Sequence, residues 1–442
     1  MISNKIDNNS YSIRIQQIIL VYLYGFLIID LINGILLNSF GGEIPISFGQ
    51  LIRGIFTILL LFDIIASRIV NNNNKHIIYL LFITPLTMIL HCFRDGTFKA
   101  LPLELVALIK PLFFLLLLNQ VVQNFKYFNK HLNKIIIANL LFYSGTIILS
   151  YIFGTGINAY STYYVANKSF FYASNATAVI GFSFAIYFTY QLKIKFTNLI
   201  FLTLSLLALF ISGSMIVLVY PLFLLYFVAY KVINKTFYKL VTTTIMILSV
   251  VLFITGILNS IMFIDNALFL RYQDRAFHSI NYFDRHSTIN ITPLRWYSYV
   301  SADRALRANT GLNNIMNEPS SLVIGYGNAM RSEKVGADYA GRTGSEMDFI
   351  DIFLNYGLIG FLLVYIPILR VIFPILFKFD TNKHAMVIYF MFLYSNFAGH
   401  VITTPMGGTL FALFLGIEYG RQMVVKEQKL IQLPDLKPLV VH

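Results

Sequence analysis

The feature that most constrains this chain is a repeated one. Apolar runs of about twenty residues follow one another from Ile15 to Gly420, and charged residues gather in the segments between them. A helix needs roughly 20 apolar residues to cross the hydrocarbon of a bilayer. Charged residues are 12% of the 442 and hydrophobic residues 57%. A soluble domain carries about a quarter charged residues, so this chain cannot cover a water-facing surface. The expected fold class is therefore all-α, a polytopic integral membrane protein of about 12 transmembrane helices.

The spans are expected near 16–38, 49–66, 76–93, 100–119, 135–153, 170–190, 196–211, 215–230, 240–260, 348–369, 385–401 and 406–420. The net charge of +13 resembles a nucleic-acid signal, but its distribution reads as topology. With the N-terminus inside, nineteen Lys and Arg fall in cytoplasmic segments and three in short outer loops (Arg94, Lys99 and Lys168), as the positive-inside rule requires. Cys92 is the single cysteine, so an intrachain disulfide is excluded. The first apolar run, Ile15 to Leu37, is longer than a signal-peptide core and ends without a small-residue cleavage site.

This topology divides the chain into residues 1–260 with nine spans, an extracytoplasmic loop 261–346, three spans in 347–420, and a cytoplasmic tail 421–442. The loop is too polar to span. Over 261–345 its cations are eight arginines and one lysine, nearly balanced by seven acids. Trp296 to Met316 reads as an amphipathic helix, with Pro319 and Gly325 to Gly327 as breakers.

The strongest local signal lies where that loop re-enters the membrane. Glu346, Asp348 and Asp351 occur within six residues, and Asp348, Asp351 and Asn355 share one helical face. Ser345 as N-cap with acids in the first turn is the plain reading. It accounts for Glu346 and Asp348, but not for Asp351 and Asn355, which fall deeper, where polar groups face a cavity or a partner. Two cations also lie within spans. Arg53 either snorkels or pairs. Lys110, followed by Pro111, has Asp63, Glu104 or an anionic headgroup as candidate partners. No His, Asp and Glu spacing resembles a metal site, and no phosphate loop, dinucleotide fingerprint or zinc ribbon is present.

Several short motifs, in their order along the chain, resemble the O-antigen polymerases (Wzy-type), which form one superfamily with the O-antigen ligases. They are Phe171 to Asn175, Leu209 to Ser214, Ser301 to Arg304, Val323 to Gly327, the Glu346-x-Asp348 step into Asn355-Tyr-Gly-Leu-Ile-Gly-Phe361, and Ala398 to Val401. Met215 stands where the family often places an arginine, so Arg295, Arg304 or Arg53 would have to serve. The ligases typically carry histidine near the acidic step, where this chain has Glu346 and Asp348.

The resemblance implies a GT-C-like membrane glycosyltransferase in the bacterial cytoplasmic membrane, with both termini cytoplasmic. It would join undecaprenyl-diphosphate-linked oligosaccharides on the outer face without metal or cofactor, with a chain-length regulator as a further partner. Catalysis would fall to Arg304, Glu346 and Asp348. Substrate binding would fall to Arg295, Arg307, Arg53, Lys110, Asn175, Asp351 and His400. The alternatives are an O-antigen ligase, a lipid-linked oligosaccharide flippase, or an ion-coupled transporter using Lys110, Asp63 and Asp351. The long loop and the lack of half-repeats weigh against the flippase, and a transporter would leave the arginine-rich loop unexplained.

Overall fold

The computed structural model describes residues 8–40, 46–66, 101–158, 166–192, 197–232, 304–328, 345–378, 382–397 and 399–431, with positions 86, 89 and 93. These residues are helical and contain no strand; Asn158 and Asn167 form a lone bridge. In chain order the helices are α1 (Asn8–Ser39), α2 (Phe48–Ala66), α3 (Leu101–Gln123), α4 (Phe125–Ile152), α5 (Ser174–Thr189) and α6 (Thr197–Ile211). A 3₁₀ turn (Met215–Val219) leads into α7 (Tyr220–Val232). Then come α8 (Arg304–Met316), α9 (Pro319–Ile324), α10 (Asp348–Lys378), α11 (Lys383–Phe397) and α12 (Pro405–Ile431). The span expected at 240–260 and loop residues 261–303 and 329–344 lie outside the described residues, as does nearly all of 76–93.

Five described helices are long and apolar enough to cross a membrane: Arg14–Ser39, Phe48–Ile65, Glu104–Gln123, Phe125–Ile152 and Asp348–Ile375. α2 shows why lipid is the solvent. Its exposed face carries Leu51, Ile55, Ile58, Phe62 and Ile65, with Ile58 69% and Ile65 73% exposed. Its inner face buries Arg53 and Thr57. A water-soluble helix has the opposite arrangement. Polar side chains point inward because in hydrocarbon only protein can satisfy them.

α12 and α5 form the centre. Residues 406–418 of α12 and 176–189 of α5 are buried without a break. α12 packs on α1, α3, α4, α5, α10 and α11. Its Gly416 and Gly420 lie so close to Val121 and Phe125 that a Cβ would clash, the small-residue contact that draws membrane helices together. α4 starts at Phe125, ten residues before the expected 135. Phe128 and Leu132 are buried there, so packing extends the helix through its lysine-rich first turns.

α10 is broken at Gly357 (φ 62°, ψ −168°), a conformation essentially restricted to glycine. The break leaves the Leu354 and Asn355 carbonyls without helical donors. The Tyr326 and Gly327 N–H groups supply them at 2.7 and 3.0 Å. Gly325 (φ 81°, ψ −178°) faces the break, where its Cβ would fall 2.4 Å from the Asn355 backbone. A Cβ on Gly357 would fall 2.3 Å from the Val323 oxygen. Ile315, Tyr326 and Leu354 form a small core between loop and helix. Broken backbone at membrane depth is tolerated where protein covers it, and here the loop segment 323–327 is the cover. Pro319, expected as a breaker, instead opens α9 at its first turn, where its missing N–H costs nothing.

Candidate functional site

The site is built at the start of α10. Asp348 is fully buried and accepts six hydrogen bonds. Its Oδ2 takes the Ser395 hydroxyl (2.7 Å) and the N–H groups of Val401 (2.6 Å) and Ile402 (2.7 Å). Its Oδ1 takes His400 Nδ1 (3.1 Å), the Thr403 hydroxyl (2.5 Å) and the Thr403 N–H (3.3 Å). Three successive N–H groups from 401–403 converge on one carboxylate, forming an anion-binding nest filled from within the chain. The 399–404 turn can pack between helices because Asp348 satisfies its backbone.

Asp351, one turn on, is 2% exposed. Its Oδ1 accepts both the N–H and the hydroxyl of Ser345 at 2.8 Å, and its Oδ2 lies 3.4 Å from His400 Nε2. The helix start therefore differs from the plain reading. Asp351 donates its N–H to the Met347 carbonyl, so Met347 holds the cap position and Ser345 is tied back to Asp351. His400 lies with each ring nitrogen toward a carboxylate, and an imidazolium there would donate to both. Its side chain is 30% exposed, so it is the accessible edge of this group.

Glu346 faces a different set. Its oxygens lie 2.8 Å from Arg304 Nη2 and 3.8 Å from Arg307 Nη1, both on α8. Arg304 and Arg307 are buried, while the Glu346 side chain is 21% exposed. Glu346 adopts φ 58°, a left-handed conformation that costs a non-glycine residue of order 1–3 kcal/mol and clusters at functional sites. The surroundings force it: Ser345 is fixed to Asp351 on one side and Asp348 to its nest on the other.

Of the residues singled out in the sequence, six come together as two adjoining groups: Arg304, Arg307 and Glu346, and Asp348, Asp351 and His400. Asn355 is buried on the same face of α10, 9% exposed. Arg53 is elsewhere. It is 5% exposed and pairs with Asp30 on α1 at 2.5 Å, so it is sealed rather than snorkelling. Lys110 is exposed on α3; Gln120 donates to Asp63, and Glu104 accepts the Asn328 N–H at 2.8 Å. Asn175 is half-buried in the first turn of α5. Arg295, Trp296 and Ser301 to Asp303 lie outside the described residues.

Sequence reasoning missed Ser395, Thr403 and the whole nest, and the Asp30 partner of Arg53. Asp30 is an isolated acid mid-run, a signal that could have found it. Ser395 and Thr403 carry no such signal. Among the described residues, no three His, Cys, Asp or Glu side chains cluster as metal ligands would. Compared with known proteins, the chain matches no family model, and no curated protein matches it. The described residues define the class: all-helical, with five helices long and apolar enough to lie in a membrane and a polar cluster at the start of α10.

Proposed function

We propose that this protein is a membrane glycosyltransferase that polymerises lipid-diphosphate-linked oligosaccharide repeat units into surface polysaccharide. The observation that carries the reading is Glu346, a strained and partly open carboxylate held against two buried guanidinium groups. Arginine forks suit a diphosphate, and a positioned carboxylate suits proton removal from a sugar hydroxyl.

In this reading the donor diphosphate docks on Arg304 and Arg307 and displaces Glu346. The acceptor hydroxyl attacks the anomeric carbon of the donor sugar, and its proton passes to Glu346. The bond from that carbon to the diphosphate breaks, and the diphosphate leaves with the electron pair, stabilised by the arginines as its charge develops. Asp348 was expected as an alternative base. With both oxygens occupied, it is better read as a positioning residue that sets His400 and the 399–404 turn. His400 and Asn175 are assigned to the sugar cavity, and Arg295 remains an alternative phosphate ligand. Arg53, neutralised by Asp30, is assigned no contact with substrate. The location is the outer face of the bacterial cytoplasmic membrane, with both termini inside.

One observation favours a second reading, an O-antigen ligase. A histidine does stand at the acidic step in space, though not in sequence: His400 touches Asp348 and Asp351. Deleting the gene in its host and running surface polysaccharide on a gel separates the two. Single-repeat material still attached to its anchor supports a polymerase. Complete loss of attached polysaccharide supports the ligase and overturns the first reading. With purified protein, polymerisation is expected to persist in a chelator.

A further inference from the structure

α4 is unbroken over 28 residues, about 42 Å at 1.5 Å per residue. The hydrocarbon core is about 30 Å thick, so α4 is longer than a crossing needs. Leu141, Leu149 and Ile152 are exposed on its outer side, with Tyr151 and Phe153 exposed at its end. Aromatic side chains favour the membrane–water boundary, so Tyr151 and Phe153 mark one boundary on this helix. The other boundary falls about 30 Å back along α4, close to Lys134. Lys126 and Lys130 then lie at headgroup depth.

Lys126, Lys130 and Lys134 are all exposed. Their four-residue spacing puts them on one side of the helix, the side that carries Leu141 and Ile152. Phe128, Leu132, Ile135 and Ile136 are buried on the opposite side. α4 contains no acid, and none of the three lysines has a carboxylate within ion-pair reach among the described residues. Arg14 of α1 is exposed at the same level, because Gln16 donates to Asn124 at 2.7 Å.

Two plainer explanations fall short. A cation in the first turn of a helix opposes the macrodipole, so helix stability does not account for Lys126. The positive-inside rule counts lysines on one side of the membrane and is indifferent to which face of a helix carries them. Here all three stand on the side that meets lipid.

This end of the bundle is remote from Asp348. Lys383 at the start of α11 donates to the Tyr187 hydroxyl at 3.0 Å, beside Asn133, whereas Ser395 near the other end of α11 holds Asp348.

We infer that the Lys126–Lys130–Lys134 face, extended by Arg14, docks on the phosphates of anionic phospholipids in the leaflet around this end of the bundle. The occupant is lipid rather than a soluble acidic partner, because the same side of α4 meets acyl chains from Leu141 to Ile152. The inference does not depend on the proposed glycosyl transfer. Each cation at a membrane surface favours anionic lipid by roughly five-fold.

The test is native mass spectrometry of the purified full chain from mixed micelles of equal phosphatidylglycerol and phosphatidylcholine with matched chains. The expected result is retained phosphatidylglycerol in at least roughly five-fold excess. The triple variant Lys126→Gln, Lys130→Gln, Lys134→Gln should lose that excess, and the corresponding triple arginine variant should keep it. The lysines are exposed, so both variants should fold, and helical circular dichroism checks this. Equal retention of the two lipids by the native protein overturns the inference, as does an excess unchanged in the glutamine variant. Equal retention together with lysine-dependent binding of polyglutamate would assign the face to an acidic protein instead.

Discussion

Two of the buried ionic groups among the described residues are built in opposite ways. The Asp30–Arg53 pair between α1 and α2 is closed. Its side chains are 7% and 6% exposed, and Tyr22, which stands over it, is tied to Thr409 of α12. The group at the start of α10 keeps an open edge at His400 and Glu346 and spreads its charges over α8, α10 and the 399–404 turn. A sealed pair can hold helices together, but nothing can reach it. An open cluster whose inner member, Asp348, is saturated can present its outer members to a substrate. Burial of charge in a membrane is therefore a weak guide to function until access is known.

Substitutions separate the closed pair from the open cluster, with effects on folding that descend from Asp348 to Glu346. Asp348→Ala should act most strongly. It leaves six donors without their acceptor, at about 1–3 kcal/mol for each one that stays buried. The expected outcome is failure to accumulate in the membrane, read by immunoblot. Normal accumulation would show that the nest is not structural. Next come the single variants Asp30→Asn and Arg53→Met. Removing one partner of a buried pair typically costs about 3–5 kcal/mol, so both should lower the melting temperature strongly. The double variant should recover much of the loss, and chain-length distribution should stay normal in whatever folds. A loss of polymer in a well-folded double variant would make the sealed pair functional and erase the distinction drawn above.

Gly357→Ala should cost about 1–3 kcal/mol in strain alone, with the clash against Val323 added to it. The melting temperature of purified protein reports it, and Gly325→Ala should behave alike because the two glycines press on the same contact. Glu346→Gln should perturb folding least, because the amide keeps an acceptor of the same shape for Arg304 at a position 21% exposed, whereas Arg304→Ala also removes a buried guanidinium. Yet each should abolish long chains on a polysaccharide gel. Normal chain lengths in both would sink the assignment of the open cluster.

Much of this was legible in the sequence. The apolar runs showed the helices and the solvent, because a bilayer punishes any unsatisfied polar backbone regardless of tertiary detail. The face shared by Asp348, Asp351 and Asn355 was legible because helical geometry is local. The helices missed or moved have tertiary causes. α4 begins early because Phe128 and Leu132 find a core. α10 breaks at Gly357 because the 323–327 segment supplies the missing donors.

The apolar runs and the acidic step at 346–351 could be read from the chain alone, because helix length and helical spacing are local. Only the tertiary structure decided which acid is locked and which is open. That depends on 395–403 arriving from fifty residues downstream to fill Asp348, and on α8 bringing Arg304 and Arg307 to Glu346. Hydrogen bonds between distant segments leave no local periodicity, so no pattern in the chain could announce them.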